Sequence, residues 1–271
     1  MGWANSEYWL HHPNNSTKIG YQLDPLEKLA HNLRLRRIIE DGIIAIFKQW
    51  KKLTAATSFD HELQKLSHRK AAEYALNHFN NSTYFQSKSK LYQYIKSEVL
   101  KATSADRIHA EFGVFKGQSI NYFADCKTEI QWYGFDSFEG LPENWSGSGK
   151  TKEHFSTFGK LPKVRQNVTL IPGLFETILP QWVRAQNKPF AFLHLDADLY
   201  SSTKQVLDIA DSYIDENTLF LFDEYFGYVG WENGEHKAWT EWLTGKPYRA
   251  ECVAYAGNGT ALFRLITIPT A

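Results

Sequence analysis

Cysteine is scarce in this chain: Cys126 and Cys252 are the only two, and they lie far apart. A disulfide framework is excluded, and the pair suits a reduced cytosol without requiring one. An excess of charge of one sign is missing as well. Thirty lysines and arginines balance thirty aspartates and glutamates, so no global field favours nucleic acid or an anionic membrane. No apolar run approaches the roughly 20 residues that span a bilayer. The opening stretch MGWANSEYWLHHPNNSTK has neither the basic start nor the apolar middle of a secretory signal. The sequons at Asn14, Asn15 and Asn80 therefore carry no weight as glycosylation sites. Internal repeats and low-complexity tracts are lacking too. These absences lead us to expect a cytoplasmic globular protein with neither nucleic-acid nor membrane partners.

What is present is an ordinary globular composition, 43% hydrophobic and 22% charged over 271 residues. That is enough for one large domain or a core with an appendage. The first hundred residues read as helices. Asp24-Pro25-Leu26-Glu27 has the form of a helix start, with a capping acid, proline in the first turn and glutamate three residues after the cap. Leu26, Leu29 and Leu33 follow at helical spacing, and Ile38, Ile39, Ile43, Ile44 and Phe47 keep one side apolar. Further helices are expected over about Phe59–Phe79 and Ser87–Ala102, and no convincing strand precedes residue 107.

From Arg107 the pattern changes. RIHAEFGV, QWYGFDSF, NVTLIPG, FAFLHLDAD and TLFLFDEY are five strand-like runs, with helix-like segments such as Gln118–Cys126 between them. Strands alternating with helices imply right-handed crossovers and a mainly parallel sheet covered on both faces. The tail ECVAYAGNGTALFRL instead carries a hairpin signal at Gly257-Asn258-Gly259. A parallel sheet closed by an antiparallel C-terminal hairpin points to an α/β, doubly wound, Rossmann-like sheet of the class I methyltransferase kind. In such sheets ligands bind beyond the carboxyl ends of the strands. Glu111, Asp136, Asp196, Asp198, Asp223 and Glu224 all fall at those ends.

The first strand end, EFGVFKGQS, supplies Glu111, Phe112, Gly113, Val114, Gly117 and Ser119. Its glycines let backbone approach a ligand, but the spacing is G-x-x-x-G, not the G-x-G-x-x-G of a pyrophosphate site. An acid before the first glycine would repel a pyrophosphate and suits the ammonium of a methionine-like ligand. The same glycines serve a purely structural turn equally well. Asp136, followed by Ser137, ends the second strand, where an acid can accept both hydroxyls of a ribose. An Asx turn is the competing use. Together the two turns describe S-adenosylmethionine. Asp196 ends the fourth strand and Asp223-Glu224 the fifth, so three carboxylates converge on one hard cation such as Mg²⁺. Unpaired, they would repel one another and take up protons. The competing arrangement is salt bridging to Arg165, Arg249 or Lys204, or helix capping.

AEFGVFKGQS, GFDSFEGLPENW, GLFETILP, HLDADLYSST and LFDEYFGYVGWENGEHKAW, in that order, resemble the macrocin O-methyltransferase (TylF-like) family over about residues 107–265. The resemblance implies an S-adenosylmethionine-dependent, metal-assisted O-methyltransferase of sugars and natural products. It implies Gly173 and Phe175 as further cofactor contacts, Asp196, Asp223 and Glu224 as metal ligands, and Asp198 as general base. Family members commonly have two aspartates where this chain has Asp223-Glu224. The chemistry agrees with those roles: a sugar hydroxyl is a poor acid and an ordinary aspartate, with a pKa of about 3.9, a weak base. A cation on two neighbouring hydroxyls lowers the acceptor's pKa and leaves the aspartate only to collect the proton. Catechol methyltransferases have a lysine three residues after the first acid; here that residue is Leu199, which favours an aliphatic or sugar acceptor.

The expected organisation is a helical region over residues 1–106, serving as lid, acceptor-binding element and candidate homodimer contact, before a core over 107–271. A small-molecule sugar or glycoside is the expected partner. The rival readings are an oxygenase or hydroxylase on the same fold, which lacks an evident 2-His-1-carboxylate set, and a non-catalytic cofactor-binding protein. His236 is expected on a helix surface, Trp231, Trp239 and Trp242 as packing residues, Tyr200 at the rim, and Cys126 as a buried small hydrophobe.

Overall fold

A computed structural model describes residues 41–50, 59–145 and 148–269. The chain divides into two compact units, Met1–Ser58 and Phe59–Ala271. In the first, residues 41–50 are helical, with Ile43, Ile44, Phe47 and Trp50 at least half exposed. The helix start expected at Asp24-Pro25 and the leucines after it lie outside the described residues. The second unit contains the sheet and also the helices from Phe59 onward.

Helix α1, Phe59–His78, buries a narrow stripe of small residues, Ser67, Ala71 and Ala75, spaced four apart. Strand β1, Thr83–Phe85, follows, and it corrects the expectation of no strand before residue 107. Helix α2 begins at Lys88–Tyr94, with Ser87 capping the Lys90 N–H, and runs through a π turn, Ile95–Val99, to Ala102. The sheet then builds as the sequence implies. Its strands are β2 (Ile108–Phe112), β3 (Trp132–Asp136), β4 (Val168–Pro172), β5 (Phe190–Leu195), β6 (Leu219–Phe222), β7 (Tyr248–Ala256) and β8 (Ala261–Thr267). The crossover helices are α3 (Gln118–Ala124), α4 (Phe175–Gln186) and α5 (Tyr200–Ala210); α6 (Glu235–Leu243) follows β6.

Sheet order is β1-β7-β8-β6-β5-β2-β3-β4. Strands β2 to β6 are mutually parallel, while β8 runs antiparallel to both β6 and β7. Every residue of β2 and β5 is buried, as a strand covered on both faces requires. One apolar cluster joins α1, α4, α5 and α6 to one face through Ala71, Leu179, Val206 and Trp239. A second joins α2 and α3 to the other through Leu91, Ile95, Ile120 and Phe123. Among the described residues no helix is long and apolar enough to cross a membrane.

Candidate active site

The carboxyl ends of β2, β3, β5 and β6 open into one cavity of about 490 Å³. Of the residues the sequence singled out, Gly113, Val114, Asp136, Ser137, Gly173 and Phe175 line it, and so do Asp196, Asp198, Asp223 and Glu224. Glu111, Phe112, Gly117 and Ser119 are not on its wall. Phe112 stacks on Phe135 at 4.9 Å in the core, and Gly117 begins α3 with φ 73°.

The wall between β2 and β3 is made by Asp136. Its Oδ2 accepts the backbone N–H groups of Val114 and Phe115, both at 2.7 Å, and its Oδ1 accepts that of Phe138 at 2.7 Å. The last contact is the Asx turn. An ionised carboxylate has about four acceptor positions, so Asp136 shapes the β2–α3 turn with most of its capacity and keeps little for a ligand. Gly113 is required where β2 meets β5: with φ 93°, a Cβ there would stand 1.8 Å from the Asp196 carbonyl oxygen. The Asp196 N–H in turn donates to the Phe112 carbonyl at 2.9 Å.

Glu111 turns into the core. Its Oε1 accepts from Ser119 Oγ at 2.9 Å and its Oε2 from His194 Nδ1 at 2.8 Å. Tyr92, from α2, donates its single hydroxyl proton to Asp223 Oδ1 at 2.8 Å, so its oxygen accepts from His194 Nε2 at 3.2 Å. Both ring nitrogens of His194 therefore donate, which makes it an imidazolium set between two carboxylates. Burial works against that charge, but the nearby carboxylates of Asp223 and Glu111 push the His194 pKa up to about 10. Lys88, also from α2, completes the chain by pairing with Asp223 Oδ2. Burial alone would raise the Asp223 carboxyl; His194 and Lys88 hold it below the ordinary carboxylate range.

The remaining acids are in the opposite condition. Asp196, Asp198 and Glu224 bring one oxygen each within 4.8 Å of one another. Among the described residues none of the three side chains accepts a protein hydrogen bond, and Glu224 Oε2 is buried without a partner. Burial, followed by repulsion from neighbouring acids, pushes Asp196 and Glu224 well above the usual carboxylate range. Burial likewise raises Asp198 to about 7, against the pull of Lys150. Asp198 also holds a left-handed backbone, φ 62°, uncommon outside glycine. The candidate bridging partners do not reach these acids: Arg165 pairs with Asp125, Lys204 with Asp208, and Arg249 is exposed. A His194–Asp196–Asp223 grouping is equally close, but both nitrogens of His194 are already committed.

Several site residues had no signal in the sequence reading. Lys88 and Tyr92 reach the acids from a helix more than 130 residues earlier. Glu235, fully buried, accepts the Glu224 N–H at 3.1 Å through Oε2. Phe115, Lys150 and Phe155 line the cavity, and Glu143 fastens its rim by accepting from Ser201 Oγ at 2.6 Å. Aromatic residues beside glycines, as in GVFKG and HFSTFG, were the available hint. Trp231, Trp239 and Trp242 are buried packing residues as expected. His236 departs from its expected surface position: it is half buried among Tyr74, Tyr225 and Trp231, at ring distances of 4.9–5.2 Å. Tyr200 donates to Glu241 at 2.6 Å, and Cys126 is half buried, donating to the Lys96 carbonyl.

Residues 110–225, from β2 through β6, match the family model of a methyltransferase domain. Among solved structures the chain is similar to the O-methyltransferase NovP, at 16% identity over 65% of this chain and 78% of that one, with a TM-score of 0.50. It is also similar to the calicheamicin methyltransferase CalS11, at 18% identity over 94% of this chain and 99% of that one, with a TM-score of 0.49. At 16% identity the likeness to NovP concerns the fold alone, and it agrees with the doubly wound, Rossmann-like sheet. A comparison with curated proteins finds no match.

Proposed function

We propose that this chain moves the methyl group of S-adenosylmethionine to a hydroxyl oxygen of a sugar or glycosylated small molecule, assisted by a divalent cation such as Mg²⁺. The observation that carries the reading is the meeting, in one cavity, of the turns held by Gly113 and Asp136 with the partnerless carboxylates Asp196, Asp198 and Glu224. The methyltransferase-domain match over residues 110–225 supports the donor half.

The residues fit both groups. Oxygen-only donors suit a hard cation, and their raised proton affinities are the cost of gathering acids without one. A sulfonium ligand is likewise favoured by the acidic wall. Asp196 and Glu224 would hold the cation, with Asp223 as third ligand once parted from Lys88. The cation, when bound, would lower the pKa of a coordinated acceptor hydroxyl. Gly113, Val114, Ser137, Gly173 and Phe175 border the donor's part of the cavity, and Asp136 keeps that border in shape. Glu111 would act indirectly, by holding α3 and His194. Asp198, beside Asp196 on the cavity wall, takes the proton leaving the acceptor. Phe115 and Phe155, with the Glu143–Ser201 bond, keep water from the reacting atoms.

The N-terminal region is assigned the role of acceptor-binding lid and homodimer contact, motivated by the exposed apolar residues of helix 41–50. Deleting residues 1–58 should abolish turnover while sparing much of the cofactor affinity; normal acceptor kinetics would refute the lid. The deciding experiment is incubation with methyl-labelled S-adenosylmethionine and a panel of glycosides, with and without Mg²⁺. Label in the glycoside, dependent on Mg²⁺, is the expected result. Cofactor binding without label transfer to any acceptor would leave a non-catalytic binder.

A further inference from the structure

We propose that Lys150 recognises an anionic group on the acceptor, a carboxylate or phosphate ester carried beyond the reacting hydroxyl. The inference rests on the methyl-transfer reading for the placement of that hydroxyl, and adds the class of acceptor.

Lys150 lies on the cavity wall and is half buried. Lys150 and Trp145 pair as an isolated antiparallel bridge, the Trp145 N–H donating to the Lys150 carbonyl at 3.0 Å. Its ammonium stands 4.2 Å from the Trp145 ring centre and 4.6 Å from that of Phe155. Aromatic faces stabilise the charge but offer no lone pair, and a lysine ammonium carries three N–H donors. Among the described residues no carboxylate forms an ion pair with it. The cavity's other ammonium, Lys88, is paired with Asp223, and the rim acids Glu143 and Glu176 are bonded to Ser201 and Gln205. Among the described residues Lys150 is therefore the cationic wall residue without an acidic partner.

The backbone around it is unusual in the same sense. Phe155 holds φ 65° and Phe115 φ 48°, left-handed conformations that bulky residues avoid, and their rings meet edge to face at 5.5 Å on the cavity wall. Strain of this kind collects where a ligand is clamped. The two aromatic faces hold the half-buried ammonium at the cavity wall, where an arriving anion gains more from it than from a fully solvated lysine. The acids Asp196, Asp198 and Glu224 would repel the same anion, so an acceptor with one charged end and one hydroxyl end has a single favourable orientation. A lysine serving only to offset Asp198 would act alike on every acceptor, and that difference is measurable.

The test is calorimetric binding to the full chain loaded with S-adenosylhomocysteine and Mg²⁺, so that no methyl transfer is needed. The probes are 4-nitrophenyl β-D-glucuronide against the neutral glucoside, for the carboxylate arm, and glucose 6-phosphate against glucose, for the phosphate arm. We expect the wild type to bind at least one charged probe about tenfold more tightly than its neutral counterpart, and Lys150→Met to erase that preference while neutral binding stays within about twofold. Lys150→Arg should retain it. Equal affinity for charged and neutral probes, no binding of any probe, or an equal loss for both in Lys150→Met overturns the proposal. Failure of S-adenosylhomocysteine itself to bind removes the underlying methyl-transfer reading and this inference with it, and the two failures are told apart in the same titration.

Discussion

Two sets of carboxylates stand at the carboxyl ends of one sheet and live under opposite conditions. Around β2 and β3 the protein satisfies its own acids: Asp136 takes three backbone N–H groups, and Glu111 takes Ser119 and His194. Around the ends of β5 and β6, Asp196, Asp198 and Glu224 have no donors among the described residues, and Glu235 Oε1 is buried without one there. A satisfied buried acid is structure, since its bonds fix backbone. An unsatisfied one destabilises the fold, and several kept together are retained for something from outside. The comparison assigns shape to the first set and chemistry to the second.

The hardest way to break that assignment is to neutralise one acid of the second set without changing its shape. Asp198→Asn should lower turnover by about 10²–10⁴-fold, the range of a positioned general base, while Mn²⁺ and S-adenosylhomocysteine affinities stay near wild type. Steady-state kinetics beside equilibrium metal binding decides it. If metal binding collapses as well, Asp198 is a ligand and the close trio with Asp196 and Glu224 is the metal site itself.

The next largest effect should fall on the first set, and on stability. Asp136→Ala strands the N–H groups of Val114, Phe115 and Phe138, and should cost about 3 kcal/mol in denaturant unfolding, given about 1.5–3 kcal/mol per bond to a charged acceptor and partial repair by water at a half-buried site. Cofactor affinity should drop with it, because the turn beside the cofactor loosens. Weakened binding in a fully stable variant would instead return Asp136 to a direct ribose contact.

How far each set was legible in the sequence follows the same divide. Acids that end an apolar run, such as Asp196 after FAFLHL, announce a strand opening onto a rim, because burial on both faces writes a continuous hydrophobic signal. The parallel strands and the hairpin at Gly257–Gly259 were readable for the same local reasons. The inward turn of Glu111 was not, since it depends on His194 arriving from a neighbouring strand, 83 residues on. Lys88 and Tyr92 sit in an ordinary helical pattern, and only the packing of α2 against the sheet carries them to Asp223. Strand β1, three residues beside β7, is too short for alternation to register.

A smaller and independent distinction lies in the pH dependence of stability without metal. Asp198, raised to about 7 from an ordinary 3.8, keeps a proton in the folded state that the unfolded chain has lost. Its contribution is fully present below about pH 4 and is lost as pH rises through 7. His194, raised to about 10, has the same sign, with its contribution lost between pH 6.5 and 10. His109, held by burial to about 4, has the opposite sign and acts only below pH 6.5. Between pH 6 and 8 the metal-free protein should therefore lose stability, and Asp198→Asn should reduce that loss by about 1.4 kcal/mol, one pKa unit's worth. Denaturant melts at the two pH values measure it; an unchanged slope would mean that Asp198 is ionised throughout.

Asp223 stands at the border of the two sets, satisfied by Tyr92 and Lys88 yet adjoining the partnerless acids. If it joins the cation's ligands, Lys88 is the cation's competitor for the same oxygen. Lys88→Met removes one positive charge from direct contact with that carboxylate, so Mn²⁺ should bind about five- to tenfold more tightly, near 1 kcal/mol after screening at a cavity open to solvent. The gain should shrink as ionic strength rises, as electrostatic competition requires. Tyr92 and His194 continue to hold Asp223 in the variant, which limits the accompanying loss of stability. Mn²⁺ affinity unchanged or weakened in Lys88→Met would place Asp223 with Asp136 and Glu111, as an acid whose role is to hold the fold, and leave the metal to Asp196, Asp198 and Glu224.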